Sequence, residues 1–407
     1  MKKTYASRPV KFFITLFCAV ILSFAAFAQN NLTWLQKAGF PGPARHRCTA
    51  ASAGNRGYMG MGHVNSVVDI LYNDWFEYDP GTDSWMQKAN FPAGPRYHAT
   101  SFTIADKIYV GTGRDPAANL MADFYCYDPV TNTWTTIAPF PGAGRRGAVA
   151  FAINGFGYVG TGSYHSDFYK YNPLNNTWTP VQNLPGSGRI SSVACAVNGK
   201  GYLTTGDNGG PAGDMWEYDP VMDTWTAKAN LPGLPRMEAC GFALDGVIYV
   251  GTGDNYSSGT NYQDFWSYNP VTNTWTQQSD FLGAARRYMC SFVIDHRAYT
   301  GLGTSGINYA DLWEYGSISG VEENKNGLSP MKVFPNPVHE SATLKFSAPV
   351  HNATLMLCDL NGQQTQFISN VSGDNYTFER NDLAPGIYFL SLEESGRQLS
   401  VSKIIIQ

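Results

Sequence analysis

An internal repeat is what most constrains the fold of this chain. The string Asp-x-x-x-Tyr-(Asp/Asn)-Pro-x-x-(Asn/Asp)-x-Trp begins at Asp74, Asp123, Asp167, Asp214 and Asp264, and a truncated sixth copy begins at Asp311. Each full copy ends on a tryptophan: Trp85, Trp134, Trp178, Trp225 and Trp275. Eleven residues after each tryptophan stands an arginine, at Arg96, Arg145, Arg189, Arg236 and Arg286, and Trp34 and Arg45 keep the same interval. Fifteen residues after each arginine comes a small-residue turn of the type Gly111-Thr112-Gly113. Fixed spacings recurring six times mean one supersecondary unit that buries its apolar faces against copies of itself.

Each unit of about 47 residues reads as four strands. A small, apolar strand follows the arginine, as in His98 to Ile104. Asn154-Gly155, Asn198-Gly199 and Asp245-Gly246 then supply hairpin turns. The second strand carries a tyrosine and ends in the glycine pair. The third runs from Asp to Tyr, an Asp-Pro-x-x-Asn turn follows, and the fourth carries the tryptophan. Four strands at this period mean propeller blades. The last repeat stops at Tyr315 without a tryptophan, while Trp34 opens the repeats on a lone strand. The N-terminal strand therefore completes a sixth blade and leaves no free edge at the seam. The 42 Gly, 23 Pro and 14% aromatic residues suit such an all-β chain of short strands and tight turns.

These Arg, Gly-pair, Tyr and Trp positions resemble the Kelch repeat, including the Kelch-like propellers of galactose oxidase and a periplasmic sialic-acid mutarotase. The resemblance covers residues 31–315. It implies a six-bladed Kelch-type β-propeller but is nearly silent on function, because Kelch propellers include both enzymes and binding modules.

Different patterns flank the repeats. Lys2, Lys3, Arg8 and Lys11 precede an apolar run from Phe12 to Phe27, and Ala26-Phe27-Ala28 offers a cleavage site, so 1–28 reads as a signal peptide and 29–315 as the propeller. No basic flank follows the apolar run, so no transmembrane segment is expected in the mature protein. Residues 316–330 read as a polar linker. Residues 331–407 alternate with period two and read as a small Ig-like β-sandwich. Their landmarks are Val333-Phe334-Pro335-Asn336-Pro337, Leu357 to Gly362, Leu383 to Tyr388 and Val401 to Gln407. In that order they resemble the C-terminal sorting domain of type IX secretion cargo. The resemblance implies export across the inner membrane by the signal peptide, then passage through the outer membrane, removal of this domain, and a propeller that is surface-anchored or released.

Without residues 1–28 the basic count falls by four while the 32 acidic residues remain, which disfavours nucleic acid as a partner. Cys48, Cys126, Cys195, Cys240, Cys290 and Cys358 include no CxxC pair, and four of them lie among small residues near innermost strands, as buried free thiols do. No P-loop, Gly-x-Ser-x-Gly elbow or His-Glu-x-x-His motif is present. No cofactor or metal is expected: the histidines lack the spacing of a copper site, and the Asp207 to Asp214 segment lacks that of a calcium loop.

The repeated Trp, Tyr and Gly are scaffold, and the repeated Arg and Asp read as loop buttresses. Function is expected where the repeats disagree. The strand 2–3 connection varies from 5 to 12 residues between blades, whereas the strand 1–2 and 3–4 turns are nearly uniform. All of that variation falls on the face of the 2–3 and 4–1 connections, where a rigid scaffold holds loops. The strand-1 entries on that face carry Arg47, His98, Gly147, Ser191, Glu238 and Tyr288, preceded by His46, Tyr97, Arg146, Ile190, Met237 and Arg287. The candidate rim is Arg47, His98, Arg146, Glu238, Arg287, Tyr288, Arg114, His165, Asp207, Asp254 and Tyr256. Mixed charge and aromatics there suit a polar ligand, a glycan or a protein. The alternative is a carbohydrate-active enzyme, mutarotase-like or oxidase-like, at the channel mouth.

Overall fold

The computed structural model describes residues 32–65, 69–256, 259–317, 331–359, 364–394 and 397–407. The expected signal peptide, most of the expected linker and the Asn361-Gly362 turn lie outside them. Among the described residues no helix forms. Six four-stranded antiparallel sheets follow the repeats. In the third, Val149–Ile153, Phe156–Gly160, Phe168–Asn172 and Thr177–Val181 pair in sequence order. The innermost strands Thr49–Ala53, Thr100–Ile104, Val149–Ile153, Val193–Val197, Cys240–Leu244 and Cys290–Ile294 each neighbour the next, and the last neighbours the first. The sheets are the blades of a β-propeller around an axial channel.

Leu32–Lys37 pairs antiparallel with Leu312–Ser317, placing Trp34 opposite Tyr315. The N-terminal strand is thus the outer strand of the last blade. Gly316 and Ser317, expected in the linker, belong to this pairing because Thr33 and Leu32 supply partners for their backbone.

Adjacent blades fit by volume. Phe292, Phe102 and Phe151 project from innermost strands onto Gly57, Gly157 and Gly201 of the following blade, where a Cβ would lie 2.1, 2.2 and 2.5 Å from the ring. Phe242 packs in one cluster with Ala298. Where the innermost strand instead carries Ala51 or Cys195, the equivalent position of the next blade is Ile108 or Ile248. Large meets small at every interface, which keeps interior density uniform around an imperfect repeat.

The tryptophans fasten the outer edge. Trp134 Nε1 donates to the Ala89 carbonyl of the preceding blade at 2.9 Å, and Trp85, Trp178, Trp225 and Trp275 do the same to Ala38, Ala138, Gln182 and Ala229. The turn Asn132 accepts from both the Tyr127 hydroxyl and the Ala89 amide, each at 2.9 Å.

The C-terminal domain is a five-stranded sheet built on one long strand, Ser341–Cys358. Ala342, Leu344 and Phe346 face its core from the first half, and Ala353, Leu355 and Leu357 from the second. The register breaks between Lys345 and Leu355 change the parity, so both halves of one bent sheet face a common core.

Candidate ligand-binding site

Each repeated arginine is buried and clamps its own blade. Arg145 Nη1 and Nη2 bind the Asp167 carboxylate at 2.5 and 2.9 Å, and Nη1 also donates to the Thr161 carbonyl in the glycine-pair turn. The same fork joins Arg45 to Asp74, Arg96 to Asp123, Arg189 to Asp214, Arg236 to Asp264 and Arg286 to Asp311. These clamps fix the backbone on which the variable residues stand.

Two residues after each clamp arginine the chain turns left-handed. Arg47, His98, Gly147, Ser191, Glu238 and Tyr288 all have φ between 54° and 62°. They precede the innermost strands rather than lying in them, so the strand expected from His98 begins at Thr100. Their backbones form a closed ring: His98 N–H donates to the Arg47 carbonyl, Gly147 to His98, Ser191 to Gly147, Glu238 to Ser191, Tyr288 to Glu238 and Arg47 to Tyr288, at 3.0–3.4 Å. Five of the six residues are not glycine, and the ring holds all of them in a conformation that side chains disfavour. It forms a neck between the axial channel and a cavity of about 570 Å³ on the face of the variable loops.

Arg47, His98, Arg146, Asp207, Glu238, Tyr256 and Tyr288 line this cavity together. Arg287 and Asp254 stand behind Glu238 rather than on the rim: Arg287 reaches both carboxyl groups at 3.3 Å, and Asp254 is 1% exposed. Arg114 donates to the Tyr97 hydroxyl at 2.9 Å and does not line the cavity. Nor does His165, which sits in the shortest strand 2–3 connection, where its carbonyl accepts from the Arg189 amide. Tyr164 takes that place instead, its hydroxyl 2.5 Å from Asp207 Oδ2. With Gly209 N–H on Oδ1, both oxygens of the Asp207 carboxylate are taken, one by its own loop and one by the connection of the preceding blade.

Sequence reasoning missed Tyr164 and underweighted His46, His63 and Tyr97. The signal was present in part. The residue after the clamp arginine pairs by backbone bridges with the residue after the glycine pair, as in His46–His63, Tyr97–Arg114 and Met237–Asp254. These two columns form a second tier above the neck. There Arg47 Nη1 lies 2.8 Å from His63 Nε2 and 3.3 Å from His46 Nε2, its Nη2 donates to the Tyr288 hydroxyl, and its guanidinium covers the Tyr288 ring. His63 stacks on Tyr97 at 4.1 Å. A cationic guanidinium thus engages the two imidazole nitrogens that a metal would need.

Electrostatics follow from this burial. Desolvation and then the Arg47 charge lower His46 to about 3, and burial first lowers His63 to about 2 and His98 well below its usual range. All three imidazoles are neutral at physiological pH. Burial, and then the neighbouring Asp254, push Glu238 up to about 8 despite Arg47 and Arg287, so its protonated form predominates at physiological pH.

Comparison with known proteins bears on this architecture. The Kelch motif matches residues 95–141 and 157–185, and the secretion system C-terminal sorting domain matches residues 332–407. The solved structure of YjhT is similar over 68% of this chain and 95% of that one, with a TM-score of 0.57 and 19% identity, a likeness of fold. No curated protein matches the sequence. The chain is a Kelch-repeat β-propeller with a C-terminal sorting domain. That domain engages the type IX secretion machinery, and the Kelch propeller is exported to the cell surface or secreted. Among the described residues, no helix is long and apolar enough to cross a membrane.

Proposed function

We propose that the exported Kelch propeller is a binding module that takes a glycan or protein ligand in the cavity on the face of the 2–3 and 4–1 connections. The observation that carries this reading is the contrast between six identical Arg–Asp clamps and six unlike residues at the neck, each held by the same left-handed backbone. A scaffold held constant under one variable, concave, polar surface suits recognition. Tyr256, 76% exposed on the longest loop of the fifth blade, offers a ring to stack on a sugar or side chain. The test is a screen of the secreted propeller against arrays of glycans and peptides. Saturable binding that Tyr256→Ala weakens is expected; binding indifferent to every cavity substitution would refute the site.

One observation favours an enzymatic alternative. Glu238, a protonated acid, and His98, a neutral base, both line the neck. Such a pair can move protons on a bound sugar. In that case Glu238→Gln would retain sugar binding and abolish anomer exchange followed by NMR. The oxidase-like reading has no comparable support, because Arg47 engages both His46 and His63.

A further inference from the structure

The charges around the cavity do not balance. The propeller holds twelve arginines from Arg45 to Arg297. Nine have a carboxylate within 4 Å: the six clamps, Arg56 with Asp79, Arg287 with Glu238 and Asp254, and Arg297 with Glu314. Among the described residues the three without one are Arg47, Arg114 and Arg146, and all three converge on Tyr97. Its hydroxyl accepts from Arg114 Nη1 at 2.9 Å and Arg146 Nη1 at 3.2 Å, and the Arg47 guanidinium lies 5.7 Å from its ring centroid. Two of the three, Arg47 and Arg146, open on the cavity beside His98.

Polar atoms are also left over. Arg47 Nε, His98 Nδ1 and His63 Nδ1 are buried with no hydrogen-bond partner among the described residues. His63 Nε2 accepts from Arg47, so its unpartnered Nδ1 carries the proton and is a donor. The nearby carboxyl groups do not meet this demand. Glu238 Oε2 and Asp254 Oδ1 are without a hydrogen-bond partner among the described residues as well, but both groups face Arg287. The oxygens of Asp207 are taken by Tyr164 and Gly209, and Glu238 is protonated. A half-buried guanidinium without a counter-ion is costly, and an oxyanion both neutralises it and accepts from the idle N–H groups.

We propose that Arg47, Arg146 and His98 form an oxyanion subsite, which anchors a carboxylate, phosphate or sulfate group of the ligand. The proposal rests on the cavity being the binding site and adds the charge class of what enters it. Arg146 is the principal anchor, because the one hydrogen bond of its guanidinium is to a phenol and leaves most of the fork open. Arg47 supplies the deeper charge, held rigid by His46, His63 and Tyr288. Glu238 sets the sign of the pH dependence. The charged groups that act on it are Arg47 from the first blade, Arg287 from the sixth, Asp254 from its own blade and Asp207 from the fourth. Below about pH 8 Glu238 is neutral and the cavity favours an anion; ionisation above that adds a negative charge at the neck and opposes one.

The experiment titrates the full secreted protein with sodium acetate, sodium phosphate and sodium sulfate separately, at constant ionic strength, by calorimetry and thermal shift. Saturable binding of at least one anion is expected, and which one saturates identifies the chemical source. Arg146→Gln should weaken it about tenfold or more, the effect of removing a charge-assisted hydrogen bond. Arg56→Gln, on the opposite face, should leave it unchanged. Raising the pH through about 8 should weaken binding to the wild type and not to Glu238→Gln. No saturation by any of the three anions up to about 100 mM, or equal affinity in Arg146→Gln, overturns the subsite. An uncharged array ligand that responds to Tyr256→Ala but not to Arg146→Gln would overturn the subsite and leave the binding face standing. A ligand indifferent to both substitutions would remove the binding face as well.

Discussion

At the scale of single residues, chemically similar groups do opposite work according to whether their charge is matched. Arg145 is fully buried, yet it is stable because Asp167 and the Thr161 carbonyl use its fork. Removing the carboxylate in Asp167→Ala would leave a buried uncompensated charge, and about 3–5 kcal/mol of unfolding free energy should be lost in urea titrations. Lys107→Ala, which breaks the exposed pair with Asp128, should cost less than about 1 kcal/mol in the same assay. Glu238 predicts a pH dependence of opposite sign to that of an ordinary surface carboxylate. Its folded pKa, about 8, exceeds the ordinary glutamate value of about 4.5, so its stabilising contribution is complete below about 4.5 and is lost as the pH rises through 8. The buried neutral histidines act the other way, losing stability as the pH falls below 6.5. The difference between wild type and Glu238→Gln isolates the first effect: the wild type should lose stability relative to the variant between pH 5 and pH 8. The roles of the clamps were legible in the sequence, because Arg and Asp recur in every repeat. That Glu238 would be protonated was not, because Asp254 and Arg287 reach it from separate segments.

At the scale of elements, blade interfaces pair a large residue with a small one. Gly157 lies where an added Cβ would meet the Phe102 ring at 2.2 Å. Gly157→Ile should therefore destabilise the propeller by several kcal/mol through overpacking. Phe102→Ala combined with Gly157→Ile reproduces the Ala51–Ile108 arrangement, and should be markedly more stable than the sum of the two single changes. Additive losses in urea would show that the complementarity is incidental. The phenylalanines and glycines are plain in the sequence, but their partnership is not, since partners belong to different repeats. The strand entries show the same limit. Their variability could be read from the repeat, but the left-handed backbone and closed hydrogen-bond ring arise only when six copies meet. His165 was misplaced because the shortest connection brings Tyr164, not its neighbour, to the cavity.

At the scale of the whole molecule, two ends of the chain have separate tasks. Leu32–Lys37 completes the last blade, with Trp34 packed against Phe265, Phe281 and Tyr315. Truncation to Ala38 should lower the melting temperature of the propeller far more than removal of residues 331–407. Removing the sorting domain should instead leave a folded propeller in the periplasm, detected by fractionation, whereas normal surface delivery of a chain ending at Pro330 would contradict the role of that domain. Period, closure and sorting landmarks made this division readable from sequence. The ligand was not readable, because recognition uses positions at which the repeats share no pattern. The central claim is that recognition belongs to the face of the variable loops, and a two-sided titration tests it most directly. A ligand taken from the array screen is titrated against Arg47→Ala, Glu238→Ala and Tyr288→Ala, and against Asn154→Ala and Thr272→Ala in turns of the opposite face. The account predicts a loss of about 1.5–3 kcal/mol for Arg47→Ala, about 0.5–1.5 kcal/mol for the neutral Glu238 and Tyr288, and no change on the second face; weakened binding from the second set alone would contradict it.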